Sequence, residues 1–394
     1  MRCARVGLAA SISWVVVSMS GCGRLGFDAA TGGPVLDDAA PAVDDAIPIG
    51  APGTLACGSS RRLIELPALP VGLGLVPISG GFVAAWTPTT ATGANTKLLG
   101  LRLRFAGEDI LSVDPLGVQL PERFTGFGLV SDGADRLMLS TEVSGGALFV
   151  PLGADLSFPG LWTLQVNAVL TGHGVAEPAA PGGAFAAGWT NLDGEVQLAL
   201  LDEQGSADGK ILDQPTGRAL AIRAASGRYV TAWTAPAQAG CVVWAVDDGF
   251  DPLLPDPLLH APAGSCEQPA ITRHDSGINL LMWIADGQAR VQLGTDTDTV
   301  GNQLRINAGA DAIEISTAPT GFFYAIAAGP EVQPGHIVLD ASRIFALPNV
   351  PRAPGTPIRL VPDGDGALLL TVATTVNEPG LWLTRLCEPG TAAR

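Results

Sequence analysis

A short phrase recurs along this chain: a glycine, one residue, an aromatic, three more residues and a tryptophan. It is complete at Gly80-Phe82-Trp86, Gly183-Phe185-Trp189 and Gly227-Tyr229-Trp233. Gly277-Asn279-Trp283 keeps the ends without the aromatic, and weaker copies begin at Gly133, Gly321 and Gly366. The seven starts are 53, 50, 44, 50, 44 and 45 residues apart. A near-constant period of this size marks a repeat architecture, in which no single unit can bury its own apolar surface.

Each phrase reads as a strand. Phe82, Ala84 and Trp86 share one face by the period-two rule, and small or apolar residues hold the other. Strands that are buried on both faces lose clean alternation, as stacked sheets require. A turn-rich gap follows, such as Asn191-Leu192-Asp193-Gly194. Further strands are expected at Val196–Leu201 and Ile211–Gln214 in one unit, and at Ala289–Leu293 and Leu304–Asn307 in another. One more strand precedes each following glycine, as at Ala219–Ala224, Pro269–Arg273 and Ala312–Ser316. Four antiparallel strands per unit, seven times over, imply an all-β fold, a seven-bladed β-propeller. The alternatives are two smaller all-β domains or a β-solenoid, whose repeats are normally shorter and stricter. The phrase glycine relaxes a tight turn. The tryptophans are expected to pack between neighbouring sheets, where their large apolar area is best used.

The two ends of the chain complete each other. The unit starting at Gly366 lacks an outer strand, whereas Arg61–Pro67 is a strand without a unit. If residues 61–67 complete the last blade, the ring closes and its edges disappear. Beyond Cys3 and Cys22, the cysteines are Cys57, Cys241, Cys266 and Cys387, and four cysteines allow three pairings. The repeat register selects Cys57–Cys387 at one rim and Cys241–Cys266 at the other.

The first residues read as an address. A basic start with Arg2 and Arg5 precedes an apolar run from Val6 to Met19, too short to span a bilayer comfortably. Ser20-Gly21-Cys22 then looks like a lipobox, with small residues before the cut and a thiol to carry the lipid; Met19 stands where leucine is usual. The expected organisation is a lipoprotein signal peptide over 1–21 and a lipidated, palmitate-bearing Cys22. A disordered acidic Ala/Pro/Gly tether over 22–56, a propeller over 57–390 and a disordered tail over 391–394 follow. Gly23, in place of an aspartate, points to the outer membrane.

The phrases Gly80–Thr87 and Gly227–Thr234, and the strand pattern in Leu198–Gly205, resemble repeat units of surface lipoproteins from GC-rich Gram-negative bacteria. The resemblance covers about residues 60–390 and implies fold and export. It transfers no catalytic residue.

Little in the sequence announces chemistry. The formal charge of -16 argues against nucleic acid as a partner. None of His173, His260, His274 and His336 lies in a metal-binding or zincin spacing, and Gly-x-Ser-x-Gly and phosphate-loop motifs do not occur. Arg273-His274-Asp275 reads as a turn before Gly277. Asp296 and Asp298, and Asp363 and Asp365, are weak calcium candidates without a full ligand run. Tyr229 and Tyr324, the two tyrosines, fall inside expected strands. The expectation is therefore a monomeric binding or scaffold module at the envelope, held by its lipid, with a protein or glycan ligand and no cofactor. A polysaccharide lyase or hydrolase on the same scaffold is the alternative.

Overall fold

A computed structural model describes residues 52–89, 95–124, 126–144, 146–158, 164–168, 172–201, 207–212, 218–225, 227–235, 240–251, 253, 258–260, 266–295, 299–339, 343–375 and 378–389. The leader, Cys22, the tether to residue 51 and the tail lie outside the described residues, as do Asp296 and Asp298.

Seven antiparallel sheets succeed one another along the chain. Blade one runs outward through Gly72–Ile78, Gly81–Thr87, Asn95–Ala106 and Asp109–Phe124. Blades two to six open with the inner strands Phe127–Ser131, His173–Ala176, Arg218–Ala225, Glu267–Arg273 and Ala312–Ala318. Blade seven comprises Arg359–Asp363, Gly366–Thr375 and Glu378–Cys387, and its outer strand is Ser60–Glu65 from the other end of the chain. The repeated phrase forms the second strand of each blade. The fold is the expected seven-bladed β-propeller.

The blades are held together by side chains that alternate between two neighbours. In Gly81–Thr87, Phe82, Ala84 and Trp86 pack with Leu368, Leu370, Leu381 and Leu383 of blade seven. Val83 and Ala85 pack instead with Leu137, Leu139 and Val150 of blade two. The other phrase tryptophans repeat the arrangement: Trp189 meets Phe149 of blade two, Trp233 meets Val196 and Leu198 of blade three, and Trp283 meets Val230 and Val243 of blade four. All four are buried. Each covers roughly 150–250 Å², so these are among the largest single apolar contributions to the interblade seams.

The phrase glycine has two jobs. Gly227 and Gly277 sit in the hairpin between inner and second strands at φ 73° and 90°, which suits glycine. In blade three the left-handed residue is Gly182 rather than the phrase glycine Gly183. Gly321 and Gly366 instead begin the second strand, where a Cβ would collide with the carbonyl oxygen of Ile337 or Leu386 in the third strand. The sequence pattern alone does not separate these roles.

The ring closes through Ser60–Glu65, which pairs with Glu378–Cys387 from Ser60 opposite Thr384 to Glu65 opposite Gly380. Leu63 and Ile64 are fully buried there. Ordered structure starts earlier than residue 57. Gly53–Thr54 pairs with Asp109 and Ile110 as an extra edge strand on blade one, and Leu55 is buried in the seam between blades seven and one.

Both disulfides have the expected pairing, Cys57–Cys387 with Cα atoms 5.7 Å apart and Cys241–Cys266 at 5.3 Å. The first joins positions 330 residues apart, the second only 25. In the chain-entropy account these loops correspond to roughly 6 and 3.5 kcal/mol. The double variant Cys57→Ser/Cys387→Ser is therefore expected to melt at least about 5 °C lower, with a smaller drop for Cys241→Ser/Cys266→Ser, by calorimetry at one pH. Equal or inverted losses would contradict this ordering.

Candidate functional site

The seven inner strands leave one side of their backbones without a strand partner, and those edges surround a central channel. The cavity measures about 1400 Å³ and is lined by residues from all seven blades. It has two mouths. At one, the hairpin rim, inner strands turn into second strands; at the other, the start rim, the inner strands begin.

The start rim carries an ion pair between blades. Arg359, first in its inner strand, donates from Nη1 to Glu314 Oε1 of blade six at 2.6 Å and to Ile358 O at 2.8 Å. Its Nη2 donates to Phe127 O of blade two at 3.4 Å. The guanidinium therefore links blades six and two past blade one. The Phe127 ring lies against Gly72 and Gly74 of blade one, where a Cβ would stand 2.6 and 2.9 Å from ring carbons. Glycine is what permits that close approach. Arg223, on the inner strand of blade four, lines the same cavity, and its Nη1 donates to the backbone oxygen of Ile222 at 3.4 Å.

At the hairpin rim, Arg136 Nε donates to Asp132 Oδ2 at 2.7 Å, Nη2 reaches Gly183 O at 3.0 Å, and the guanidinium lies 5.7 Å from the centre of the Phe185 ring. These contacts tie the blade-two hairpin to blade three. Burial works to raise the Asp132 carboxyl. Hydrogen bonds from Arg136 and from the amides of Ala134 and Arg136 outweigh it and hold the group below the usual carboxylate range. Arg273, His274 and Asp275 border the channel here as the expected turn: the Ser276 amide donates to His274 Nδ1 at 3.0 Å and Gly277 N to His274 O at 2.9 Å.

Between blades two and three, Ser140, Glu142 and His173 gather at the channel wall. His173 Nε2 lies 4.0 Å from Glu142 Oε1, and its ring meets Phe149 edge-on at 6.5 Å. A second buried histidine, His336, sits 3.7 Å from Glu388 Oε1 and packs on Phe323, away from the channel.

The remaining sequence candidates lie elsewhere. Asp363 Oδ2 is 3.4 Å from Arg385 Nε, so this carboxylate already faces a cation, and Asp365 is exposed in the turn beside it. Among the described residues no three Cys, His, Asp or Glu side chains are grouped to hold a metal ion. Tyr229 and Tyr324 are strand residues; Tyr229 donates from its hydroxyl to Ala184 O at 3.2 Å, and burial pushes Tyr324 up to about 12. Sequence reasoning passed over Ser140, Glu142, Glu314 and Arg359. The available signal was charge inside strands otherwise built of apolar residues: Arg223 and Glu314 both lie within segments read as buried strands.

Burial holds both His173 and His336 below the ordinary histidine value, and Glu142 and Glu388, respectively, offset part of the effect. The unfolded chain then binds protons near pH 6.5 that the folded chain refuses, so stability is lost as pH falls through that region. Between about pH 7.5 and 5.5, above the carboxylate range, the melting temperature is expected to fall, and His336→Gln should flatten the slope. A melting temperature that rises on acidification across this window would refute the assignment.

No known protein family matches the sequence, and no curated protein matches it. Solved structures do. A chain of Kuenenia stuttgartiensis hydrazine synthase superposes with a TM-score of 0.55 at 10% identity, covering 82% of this chain and 97% of that one. The β-propeller domain of Cps50 (Swd1) from Myceliophteria thermophila gives 0.50 at 9% identity, covering 82% and 99%. At such identities the likeness is one of fold, and the second neighbour is a β-propeller domain.

Proposed function

We propose that this chain is a cell-envelope lipoprotein, anchored through Cys22, whose propeller is a binding or scaffold module that takes its ligand in the central channel. The observation that carries the reading is the channel wall itself. Arg223, Glu314 and Arg359 stand on inner strands of blades four, six and seven, at the edge of a cavity of about 1400 Å³. Burying charge is costly without compensation, and a cavity wall is where such groups can meet a polar ligand.

Two of the acids that line the channel are already held by arginines, and at those positions binding is favoured over hydrolysis. Glu314 is held by Arg359 and Asp132 by Arg136, at 2.6 and 2.7 Å. Glycoside cleavage needs two carboxyls placed about the scissile bond, and these two are committed to joining blades. The anchor rests on the order of basic start, apolar run and Ser20-Gly21-Cys22 in the sequence.

Two sets of variants test the reading on the full chain. Cys22→Ala should lose incorporated palmitate and leave the membrane fraction; continued lipidation would refute the anchor. Val71 and Ala180 border the two mouths and are exposed, so a tryptophan at either narrows the channel without entering the core. A component of native envelope extracts retained by the wild type should be lost with Val71→Trp or Ala180→Trp. Its full retention by both would refute the channel as binding site.

A further inference from the structure

The slot between blades two and three has features that the interblade seams do not need. Ser140 and Glu142 stand two residues apart on the second strand of blade two, Arg136–Val143, and so share the face turned to blade three. His173 begins the inner strand of blade three on the same face as Val175, turned to blade two. Elsewhere this seam is filled by Met138, Phe149 and Trp189.

Gly128 opens the slot. It pairs with Ser140 across the first two strands of blade two, and a Cβ there would stand 2.7 Å from Ser140 Oγ and 3.7 Å from Val175 Cγ1. Glycine thus leaves room for the Ser140 hydroxyl, and Gly128, Ser140, Glu142 and His173 all border the cavity.

Two atoms in the slot are buried and without a hydrogen-bond partner among the described residues. They are Ser140 Oγ, on a residue only 1% exposed, and His173 Nδ1. Such groups are costly unless something bonds to them. Their chemistry restricts what that can be. Glu142 faces His173 Nε2, which favours the proton on that nitrogen and leaves Nδ1 a bare acceptor. The Ser140 hydroxyl needs an acceptor for its proton. An ammonium group can donate to Nδ1 but cannot accept from Ser140. A sulfate or carboxylate can accept from Ser140 but cannot donate to Nδ1, and it meets Glu142 as a like charge. An alcohol can both donate and accept.

We propose that the Ser140–Glu142–His173 slot is a subsite for the hydroxyl groups of a neutral saccharide that enters the channel. This rests on the channel-binding reading above and supplies its ligand class. Val175 and the edge of the imidazole offer apolar surface to the sugar's C–H groups. Burial of His173 supports the same picture, since it favours the neutral ring at physiological pH.

The test uses the lipidated full chain in detergent, an array of neutral oligosaccharides built on glucose, galactose and mannose, and calorimetric titration of any hit. Spermidine serves as the donor-only probe and sulfate as the acceptor-only probe. At least one neutral oligosaccharide should bind at about millimolar strength or better. Ser140→Ala and His173→Phe should each weaken it by about tenfold, and neither spermidine nor sulfate should compete. Ser140→Ala removes a single oxygen from a packed seam, and an unchanged melting profile confirms that it folds. Binding that Val71→Trp or Ala180→Trp abolishes but Ser140→Ala and His173→Phe leave intact would overturn the slot while the channel reading stands. Competition by spermidine or sulfate would overturn the assignment to a neutral hydroxyl ligand. An array with no neutral hit would overturn it too, and the extract pull-down would then decide the channel reading alone.

Discussion

Each sheet in this protein is apolar on both faces, and a sheet of that kind needs a neighbour on each side. The alternation of Phe82, Ala84 and Trp86 toward blade seven and of Val83 and Ala85 toward blade two states the requirement in one strand. A linear stack would leave two apolar faces in water at its ends. A ring leaves none, provided that the last sheet is complete. The N-terminal strand Ser60–Glu65 meets that condition, and its buried Leu63 and Ile64 belong to the same seam as Leu73 and Trp86 of blade one.

The same arrangement decides where polar groups can go. Faces are committed to neighbours, so the exposed mouths and the inner edges carry what chemistry there is. Long side chains such as Arg359 reach across the channel to bonds on other blades, and glycines such as Gly72 and Gly128 set how close neighbours may come. Between blades two and three the second strand contributes too, because Gly128 leaves room for the Ser140 hydroxyl beside the channel.

The fold was legible because its causes are periodic. Glycine and tryptophan at a repeat near 48 residues, period-two burial and a strand without a unit were all present in the one-dimensional pattern. The cysteine pairing followed from strand register. The site was legible only in part. Ser140 and Glu142 lie on blade two and His173 on blade three, 31 residues beyond Glu142, and what joins them is the interblade spacing, which no local pattern encodes. The acidic turns attracted attention because their carboxylates are close in sequence; Asp363 in fact meets Arg385 from the third strand. Leu55 was missed for a different reason: it is one apolar residue in a segment of otherwise tether-like composition, and only its partners in blades seven and one reveal that it is core.

Closure by the first strand also sets a timetable. Ser60–Glu65 precedes blade one in the chain, yet its partner Glu378–Cys387 follows all six other blades. Blades one to six can each assemble from neighbouring sequence, but the seam that seals the ring must wait for Glu378–Cys387. Until then the apolar edge carrying Leu63 and Ile64 has no sheet to join, and an unpaired strand edge of that kind is open to mispairing. The Cys57–Cys387 disulfide, formed as an external oxidant takes two electrons from the two thiols, then locks the closed ring.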